Sequence, residues 1–277
     1  SNTIFKWDFK NGIKLLTLSK KLYVLTKNSV YGPIVSGQKI TNNSFSDLQI
    51  DDEFTDATVI WDDILISTKK SRIVRFSKSW SFSYVNVLWQ DKWEDIKQIG
   101  SYNLNLYTLS SSWAQIYKHS PSFDLYMLWT TYLNDEDSKK LSNILALWID
   151  WWFYMLKNDL SLYKFFASPK YNLKSIVLNK LPKNYTLEND TNKPMIYTDI
   201  TLNNVYIYLN NKIWIFKPNT KNYADVKSLE YIWQVEWKNE KILSFYVPRD
   251  WEINILSESW IYKLNFEIDD KNKLILR

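Results

Sequence analysis

The chain has 277 residues and is 45% hydrophobic and 17% aromatic, enough to build a sizeable core in one large domain or two smaller ones. Its net charge of +5 comes almost entirely from lysine. Nucleic-acid recognition usually relies on arginine forks and clustered basic stripes, and because the sequence has neither, we expect no nucleic-acid partner. The chain has no cysteine and a single histidine, His119, which excludes disulfides, thiolate sites and a multi-histidine zinc centre.

Short strands rich in Ile, Val, Tyr, Phe and Leu follow one another along the chain, with turn signals about every 8 to 12 residues, and this spacing predicts an all-β fold. Six strand pairs of one type can be aligned. Copies are separated by roughly 41 to 52 residues, near the period of propeller repeats. The predicted pairs are residues 21–25 with 29–32, 64–67 with 72–76, 105–109 with 115–118, 153–156 with 161–166, 205–208 with 212–216, and 253–256 with 260–264.

Two other stretches bear on the organisation of the chain. Residues 134–141 predict one or two helical turns within a loop. The longest apolar run, residues 144–156, is interrupted by Asp150 and is shorter than the roughly 20 residues that a bilayer span needs. We therefore expect no membrane insertion within this segment. We also expect a single domain over residues 1–277. Because the chain starts at Ser1 without a Met, we expect it to be the C-terminal fragment of a longer protein.

Tryptophan and glycine occur in exchanged proportions. The chain has 15 Trp and four Gly, whereas an average chain of this length would have roughly 19 glycines. Asp150-Trp151 and Asp250-Trp251 lie between apolar runs, where Asp-Gly would be a strong hairpin signal. A type I′ turn needs positive φ at both central residues, which costs Trp a Cβ clash and costs Gly nothing. Trp80, Trp113 and Trp260 follow Ser in similar turn contexts.

We therefore predict that most of the Trp letters are UGA codons in a bacterium that reads UGA as glycine. Trp7 and Trp93 are the two that we expect to be genuine. The alternative is a truly tryptophan-rich protein whose rings fill a core or line a sugar-binding surface.

Three segments resemble a known family. They are residues 105–109, residues 115–118, and residues 146–151 read with glycine at positions 148 and 151. They resemble blades of six-bladed β-propellers in the NHL-repeat, gluconolactonase and TolB-like superfamily, through short motifs that cover nearly the whole chain. The resemblance implies six blades of four antiparallel strands, with a seven-bladed propeller as the alternative, and an extracytoplasmic or membrane-tethered location. In such a ring the N-terminal strand completes the last blade, so residues 3–6 are expected to pair beside residues 273–276.

Aspartates follow the strands that we interpret as the innermost ones of the blades, at Asp62, Asp150, Asp199 and Asp250, so they are expected at one end of a central channel. In the lactonases that this superfamily includes, channel carboxylates bind Ca²⁺, which makes these four residues the candidate metal ligands. Aspartate is also common in turns because its side chain accepts hydrogen bonds from local backbone N–H groups. We favour the turn role and expect no cofactor, with Ca²⁺ as the alternative.

No nucleophile elbow, phosphate loop or dinucleotide-binding motif occurs, even with Trp read as Gly. We therefore predict a non-enzymatic propeller that binds a protein or glycan partner through loops on one face. The alternatives are a metal-dependent lactonase or lyase and a Trp-lined carbohydrate-binding lectin. Tyr102, Tyr126, Tyr132 and Trp93 are candidates for a contact surface, although aromatic residues at strand spacing are more often core.

Overall fold

The computed structural model describes residues 2–88, 95–110, 114–123, 125–166, 173–180, 194–199, 204–220, 226–236 and 240–277. The chain divides into two compact units, which we call unit 1 (Ser1–Lys10 and Ile144–Arg277) and unit 2 (Asn11–Asn143). Nearly all regular structure in the described residues is β. The helix α1 (Asp135–Lys140) confirms the helical turns predicted there, and it begins after Asn134, whose side chain accepts a hydrogen bond from the Asp137 N–H.

Unit 2 consists of antiparallel meanders, in which consecutive strands pair side by side. The first sheet has the order β2-β3-β4-β5, the second β6-β7-β8-β9, and the third β10-β14-β13-β12-β11, in which the two-residue β10 pairs parallel to β14. Their strands are β2 (Gly12–Leu18), β3 (Lys21–Thr26), β4 (Ser29–Ile34), β5 (Asn42–Ser44), β6 (Phe54–Ile60), β7 (Asp63–Thr68), β8 (Ile73–Ser77), β9 (Phe82–Tyr84), β10 (Asn86–Val87), β11 (Ile96–Tyr102), β12 (Asn105–Ser110), β13 (Ile116–Ser122) and β14 (Leu125–Thr131).

Unit 1 is built from the same kind of meander. Two of them, β15-β16-β17-β18 and β19-β20-β21-β22, join into one eight-stranded sheet because their last strands pair in parallel, with Val177 opposite Ser228. The remaining sheet has the order β1-β25-β24-β23, and β26 also pairs with β25. The strands are β1 (Asn2–Lys6), β15 (Ile144–Ile149), β16 (Trp152–Lys157), β17 (Leu162–Phe166), β18 (Lys174–Asn179), β19 (Met195–Thr198), β20 (Val205–Leu209), β21 (Lys212–Pro218), β22 (Ser228–Glu236), β23 (Ile242–Arg249), β24 (Glu252–Ser257), β25 (Trp260–Ile268) and β26 (Leu274–Leu276).

The structure confirms each of the six predicted strand pairs. They are β3 with β4, β7 with β8, β12 with β13, β16 with β17, β20 with β21, and β24 with β25. The second strands are buried on both faces, as in β20, where every residue is buried. Burial on both faces explains why these strands read as nearly continuous apolar runs and do not alternate with polar residues.

The prediction for the N-terminal strand was right about the sheet and wrong about the partner. β1 completes the C-terminal sheet, but it pairs antiparallel with the first half of β25, where Lys6 lies opposite Trp260. Residues 274–276 pair with the second half of β25, where Leu276 lies opposite Phe266. β25 has nine residues, so its outer edge is long enough to receive both chain ends in succession.

The hydrophobic core lies between neighbouring sheets. In unit 2, Leu25, Ile66 and Phe76 belong to one buried cluster that joins the first two sheets. In unit 1, Tyr208 and Ile255 belong to a corresponding cluster that joins β20 with β24. In both places neighbouring sheets of one unit pack face to face, which leaves the strand edges and the turns at the surface.

Polar contacts join the first strands of successive sheets in unit 2. The Lys14 Nζ lies 2.7 Å from Asp56 Oδ1, and the Ile99 backbone N–H donates to Asp56 Oδ2 at 2.9 Å. Asp56 Oδ1 also accepts from the Ala57 N–H at 2.9 Å. The side chains of Lys14 and Asp56 are only 13% and 7% exposed. One carboxylate thus links β2, β6 and β11, and each link spans one sequence repeat.

Unit 1 has equivalent links between its first strands. The Trp148 Nε1–H of β15 donates to Thr198 Oγ1 of β19 at 2.9 Å, and the Ser244 Oγ of β23 lies 3.7 Å from the Met195 sulfur of β19. None of the helices in the described part of the chain has the length and hydropathy that crossing a bilayer requires.

The buried link predicts unequal effects of substitution. Asp56→Ala removes the acceptor for Lys14 and for two N–H groups, and we expect it to lower the free energy of unfolding by about 3–5 kcal/mol. Lys14→Met leaves Asp56 with those two N–H donors, so we expect a smaller loss. Both are measured by equilibrium denaturant unfolding.

The matched control is Lys27→Met. Lys27 pairs with Glu53 at 3.4 Å in the same unit, but its side chain is 62% exposed, and an exposed pair of this kind contributes only about 0–1 kcal/mol. Equal losses for Lys14→Met and Lys27→Met would contradict a structural role for the buried pair.

Candidate functional site: the aspartate turns

Each of the four candidate aspartates lies in the turn that follows the first strand of its meander, as the sequence predicted. Asp62 belongs to unit 2, between β6 and β7, and the other three belong to unit 1. Asp150 lies between β15 and β16, Asp199 directly after β19, and Asp250 between β23 and β24.

Asp62 is an exposed turn residue. Lys78, from the β8–β9 turn, lies 3.1 Å from Asp62 Oδ2, and the Ser19 hydroxyl of the β2–β3 turn is 3.4 Å from Oδ1. The hydrogen bond and charge of Lys78 lower the pKa of the Asp62 carboxyl. Asp62 therefore joins three exposed turns at one end of unit 2.

Asp150 closes its own hairpin and reaches the next one. The Trp152 N–H donates to Asp150 Oδ1 at 2.6 Å, and the Asp150 N–H donates to the Trp152 carbonyl at 3.0 Å. The Thr198 hydroxyl donates to Asp150 Oδ2. Because Trp148 in turn donates to Thr198, a short chain of hydrogen bonds connects the β15–β16 turn to the end of β19.

Asp199 is the most deeply buried of the four, with 2% exposure. Its carboxylate accepts from the Asn204 N–H at 3.0 Å, from the Asn204 amide at 3.2 Å and from the Tyr206 hydroxyl at 2.7 Å. The pKa of Asp199 is raised to about 6, chiefly by burial and to a smaller extent by the charge of Asp250, while the hydrogen bonds from Tyr206 and Asn204 oppose the rise.

Asp250 is half-buried in the neighbouring turn, and its charge acts on both Asp199 and Tyr206. Two basic side chains of the same sheet pair with Glu252. Arg249 Nε donates to Glu252 at 2.9 Å, and Lys263 lies 3.0 Å from the same carboxylate.

The turns of Asp150, Asp199 and Asp250 thus meet at one end of unit 1. The described contacts of Asp150 and Asp199 are those of turn residues, because their oxygens accept hydrogen bonds from donors in the same or the adjoining hairpin. Over the described ranges, no three His, Asp or Glu side chains are grouped in a way that could hold a metal ion. The Ca²⁺ alternative for Asp62, Asp150, Asp199 and Asp250 stays a prediction.

His119 is fully buried in the middle of β13. Its Nε2 lies 2.9 Å from Thr108 Oγ1 on the neighbouring strand. Burial lowers the pKa of His119 to about 3, so the ring is neutral at physiological pH.

The aromatic residues proposed as a contact surface are mostly core. Tyr126 and Tyr132 are each 6% exposed, and Tyr102 is half-buried. Trp93 lies outside the described residues. The ring of Tyr132, which follows β14, lies 6.1 Å from the ring of Tyr107 in β12. Both side chains are therefore packed against the third sheet of unit 2 and do not face solvent.

Sequence reasoning missed the pair Lys14 and Asp56. The signal was present, since the two residues are 42 positions apart, close to one repeat, and occupy equivalent places in two first strands. A search for opposite charges separated by one repeat would have found them.

Two structural classes can be distinguished among the tryptophans that the structure describes. Trp61, Trp80 and Trp251 have φ of 54°, 63° and 64°, in the left-handed region that favours glycine. By contrast, Trp148 and Trp214 lie within strands, and Trp214 is 3% exposed with its Nε1–H donating to the Leu209 carbonyl at 3.2 Å.

The type I′ turns predicted for the two Asp-Trp pairs were wrong. Neither Asp150 nor Trp151 has positive φ, and of the second pair only Trp251 does. The Asp150 side chain instead stabilises its turn by accepting from the N–H two residues later, which does not need a left-handed backbone at Asp150.

Neither a protein-family model nor a curated protein sequence matches the chain. Solved structures do. The chain is similar to YCF48 from Cyanidioschyzon merolae, with a TM-score of 0.57, 10% identity, and coverage of 96% of this chain and 90% of that one. It is also similar to the Malassezia sympodialis allergen Mala s 1 (TM-score 0.61, 9% identity, 94% of each chain). A third similar structure is Kluyveromyces lactis Hsv2 (TM-score 0.56, 10% identity, 96% of this chain and 97% of that one).

These structures have propeller-type folds. At such low identity the similarity concerns the fold alone. Together with the successive antiparallel meanders, it shows that this chain is an all-β protein of the β-propeller type.

The buried histidine predicts an acid-dependent loss of stability. The pKa of His119 is lower in the folded chain, about 3, than the ordinary 6.5 that applies on unfolding. Below pH 6.5 the unfolded chain therefore binds a proton that the folded chain does not, and stability falls from pH 6.5 towards 3. We expect His119 to account for a few kcal/mol of this fall. Unfolding free energies of the wild type and His119→Gln, measured across this range, should have different pH slopes, and parallel slopes would refute the assignment.

Proposed function

We propose that the chain is a six-bladed, non-catalytic propeller that binds a protein partner through turns on one face. The proposed blades are β2–β5, β6–β9, β11–β14, β15–β18, β19–β22, and β23–β25 completed by β1. A single domain over residues 1–277, and membership of the NHL-repeat, gluconolactonase and TolB-like group, are parts of the same proposal. The strand pairs at repeat spacing support it.

Two of the similar structures contain a bound protein or peptide. YCF48 has been solved bound to a D1 peptide (TM-score 0.55), and S. cerevisiae Nup159 has been solved bound to Dbp5 (TM-score 0.53). Both support a protein or peptide as the partner here, with a glycan as the alternative.

The observation that carries the proposal is that two turns of unit 2 expose large apolar side chains on a strained backbone. Leu104, between β11 and β12, and Phe123, between β13 and β14, lie at the same end of their sheet and are 41% and 104% exposed. Their φ angles are 71° and 52°. A bulky residue in the left-handed region is strained, and such strain is concentrated at functional sites. These turns present apolar side chains to solvent from a rigid sheet, as partner-binding loops do.

We expect Leu104→Ser/Phe123→Ser to abolish capture of the partner from the native organism while leaving the unfolding transition nearly unchanged, because both side chains are exposed. Affinity capture followed by mass spectrometry measures the loss. The matched control is Ile50→Ser, because Ile50 is 85% exposed and precedes β6, at the opposite end of unit 2.

Capture that survives the double variant would rule out this surface.

The same purified protein is tested on a panel of lactones with and without Ca²⁺. Metal-dependent turnover would overturn the non-catalytic proposal in favour of the lactonase or lyase alternative.

We also propose that Trp61, Trp80 and Trp251 are glycine in the natural chain, as UGA read as glycine would make them. Their left-handed backbones support this, as does the 73% exposure of Trp61. The extended backbone at Trp148 and Trp214 does not need glycine. Glycine at the exposed turns would also remove the rings that the lectin alternative needs.

The tryptophans in left-handed turns and those in strands are predicted to respond oppositely to substitution by glycine. Trp61→Gly removes a left-handed strain of about 1–2 kcal/mol, partly offset by the greater freedom of glycine in the unfolded chain, so stability should stay equal or rise. Trp214→Gly empties a buried site and should cost about 3–5 kcal/mol or more. Unfolding measurements test both, and peptide masses of the native protein identify the residue at each position. Tryptophan at position 61 in the native protein would overturn the recoding.

A further inference from the structure

Turns from the first two sheets of unit 2 meet at one end of the unit. The Ser19 hydroxyl of the β2–β3 turn lies 3.4 Å from Asp62 Oδ1, and Lys78 of the β8–β9 turn lies 3.1 Å from Asp62 Oδ2. The β6–β7 turn, which carries Asp62, therefore lies between the other two.

The first strands of the second and third sheets run in the same direction. The Ile99 N–H of β11 donates to Asp56 of β6, and further along both strands the Ser101 hydroxyl lies 2.7 Å from the Thr58 hydroxyl. Because the two strands advance together, the β11–β12 turn at the end of one lies beside the β6–β7 turn at the end of the other.

The two apolar turns of the third sheet are held together near the same end. The Ser120 hydroxyl of β13 donates to Asn105 Oδ1 of β12 at 2.8 Å, close to the turns that carry Leu104 and Phe123. We call the surface formed by residues 19–21, 62, 78, 104 and 123 the turn face of unit 2.

One part of the turn face is positively charged. Lys20 and Lys21 are exposed at the tip of the β2–β3 hairpin, and within the part of the chain that the structure describes neither forms an ion pair. Lys78 and Asp62 neutralise each other. The turn face therefore has two unpaired cations on the first sheet and two exposed apolar side chains on the third.

We propose that the turn face binds a segment of the partner protein that carries acidic residues at one end and apolar residues at the other. The acidic residues face Lys20 and Lys21, and the apolar residues contact Leu104 and Phe123. This inference rests on the function proposed above, which uses the same two apolar side chains and leaves the chemistry of the partner open.

Charge complementarity selects the acidic partner, because lysines beside an apolar contact attract carboxylates and repel cations. Packed sheets are about 10 Å apart, so the face extends about 20 Å from the first sheet to the third. An extended segment covers this distance with about six residues. The inference does not use Trp61 and Trp80, so it holds whether these positions are tryptophan or glycine.

The probe is a phage-displayed library of random peptides about 16 residues long, which is long enough to cross the face. Selection on the purified chain should enrich Asp and Glu together with aromatic or aliphatic residues about six positions away. Lys20→Glu/Lys21→Glu should shift the preference to Lys and Arg. It should also weaken binding of the best wild-type peptide roughly tenfold, as measured by fluorescence anisotropy. Raising the salt concentration from about 0.05 to 0.3 M should reduce this difference, because exposed charges are screened.

The matched control is Lys69→Glu/Arg72→Glu, which makes the same change of charge at two exposed residues of the β7–β8 turn, at the opposite end of unit 2. It should leave the affinity nearly unchanged. If the reversed variant does not fold, Lys20→Gln/Lys21→Gln replaces it, with an expected loss of roughly threefold.

The outcomes separate this inference from the function on which it rests. Apolar peptides without an acidic preference, or an affinity that the lysine variants leave unchanged, would overturn the inference. If Leu104→Ser/Phe123→Ser still abolished their binding, the proposed surface would stand. A library without binders would also overturn the inference, as would sedimentation with phosphatidylserine vesicles in place of peptide binding, because the acidic partner would then be a lipid surface.

Discussion

The contacts between first strands, spaced one sequence repeat apart, are the constraint on which the rest of each unit depends. In unit 2 the Lys14, Asp56 and Ile99 link crosses two sheet boundaries, and the hydroxyls of Thr58 and Ser101 lie 2.7 Å apart across one of them. Asp56 is only 5% exposed, and a buried carboxylate must find its hydrogen-bond partners within the protein, here on the neighbouring sheets. The register between sheets is therefore set by hydrogen bonds, and the apolar cores pack to it.

A buried ion pair is a costly way to set a register. The desolvation of Lys14 and Asp56 offsets much of their attraction, so the pair contributes less net stability than its 2.7 Å distance suggests. The two N–H donors to Asp56 explain why the carboxylate is tolerated there. Apolar side chains could pack in several registers with similar energy, whereas one charge with three partners has a single good position.

Turn residues at equivalent positions differ in how deeply they are buried. Asp150 and Asp199 both accept local donors, yet one lies near the surface and the other is nearly inaccessible to solvent. The same residue type in equivalent turns therefore has different chemistry, because the packing around it differs. Leu104 and Phe123 illustrate the opposite case, in which a rigid sheet holds apolar side chains away from the core and in contact with water.

The sequence by itself determined the all-β class, the strand pairs and the short helix α1. Those features are local: a hairpin such as β12–β13 needs only adjacent apolar strands and a turn, and α1 needs only its Asn134 cap and a few polar residues. Turn aspartates were also visible, because their role uses neighbouring backbone. Tertiary structure decided which edge β1 joins, the parallel pairing of β18 with β22, the burial of Tyr126 and Tyr132, and the raised pKa of Asp199. Each of these depends on which sheets lie against each other, and residues far apart in the chain meet only once the meanders have stacked.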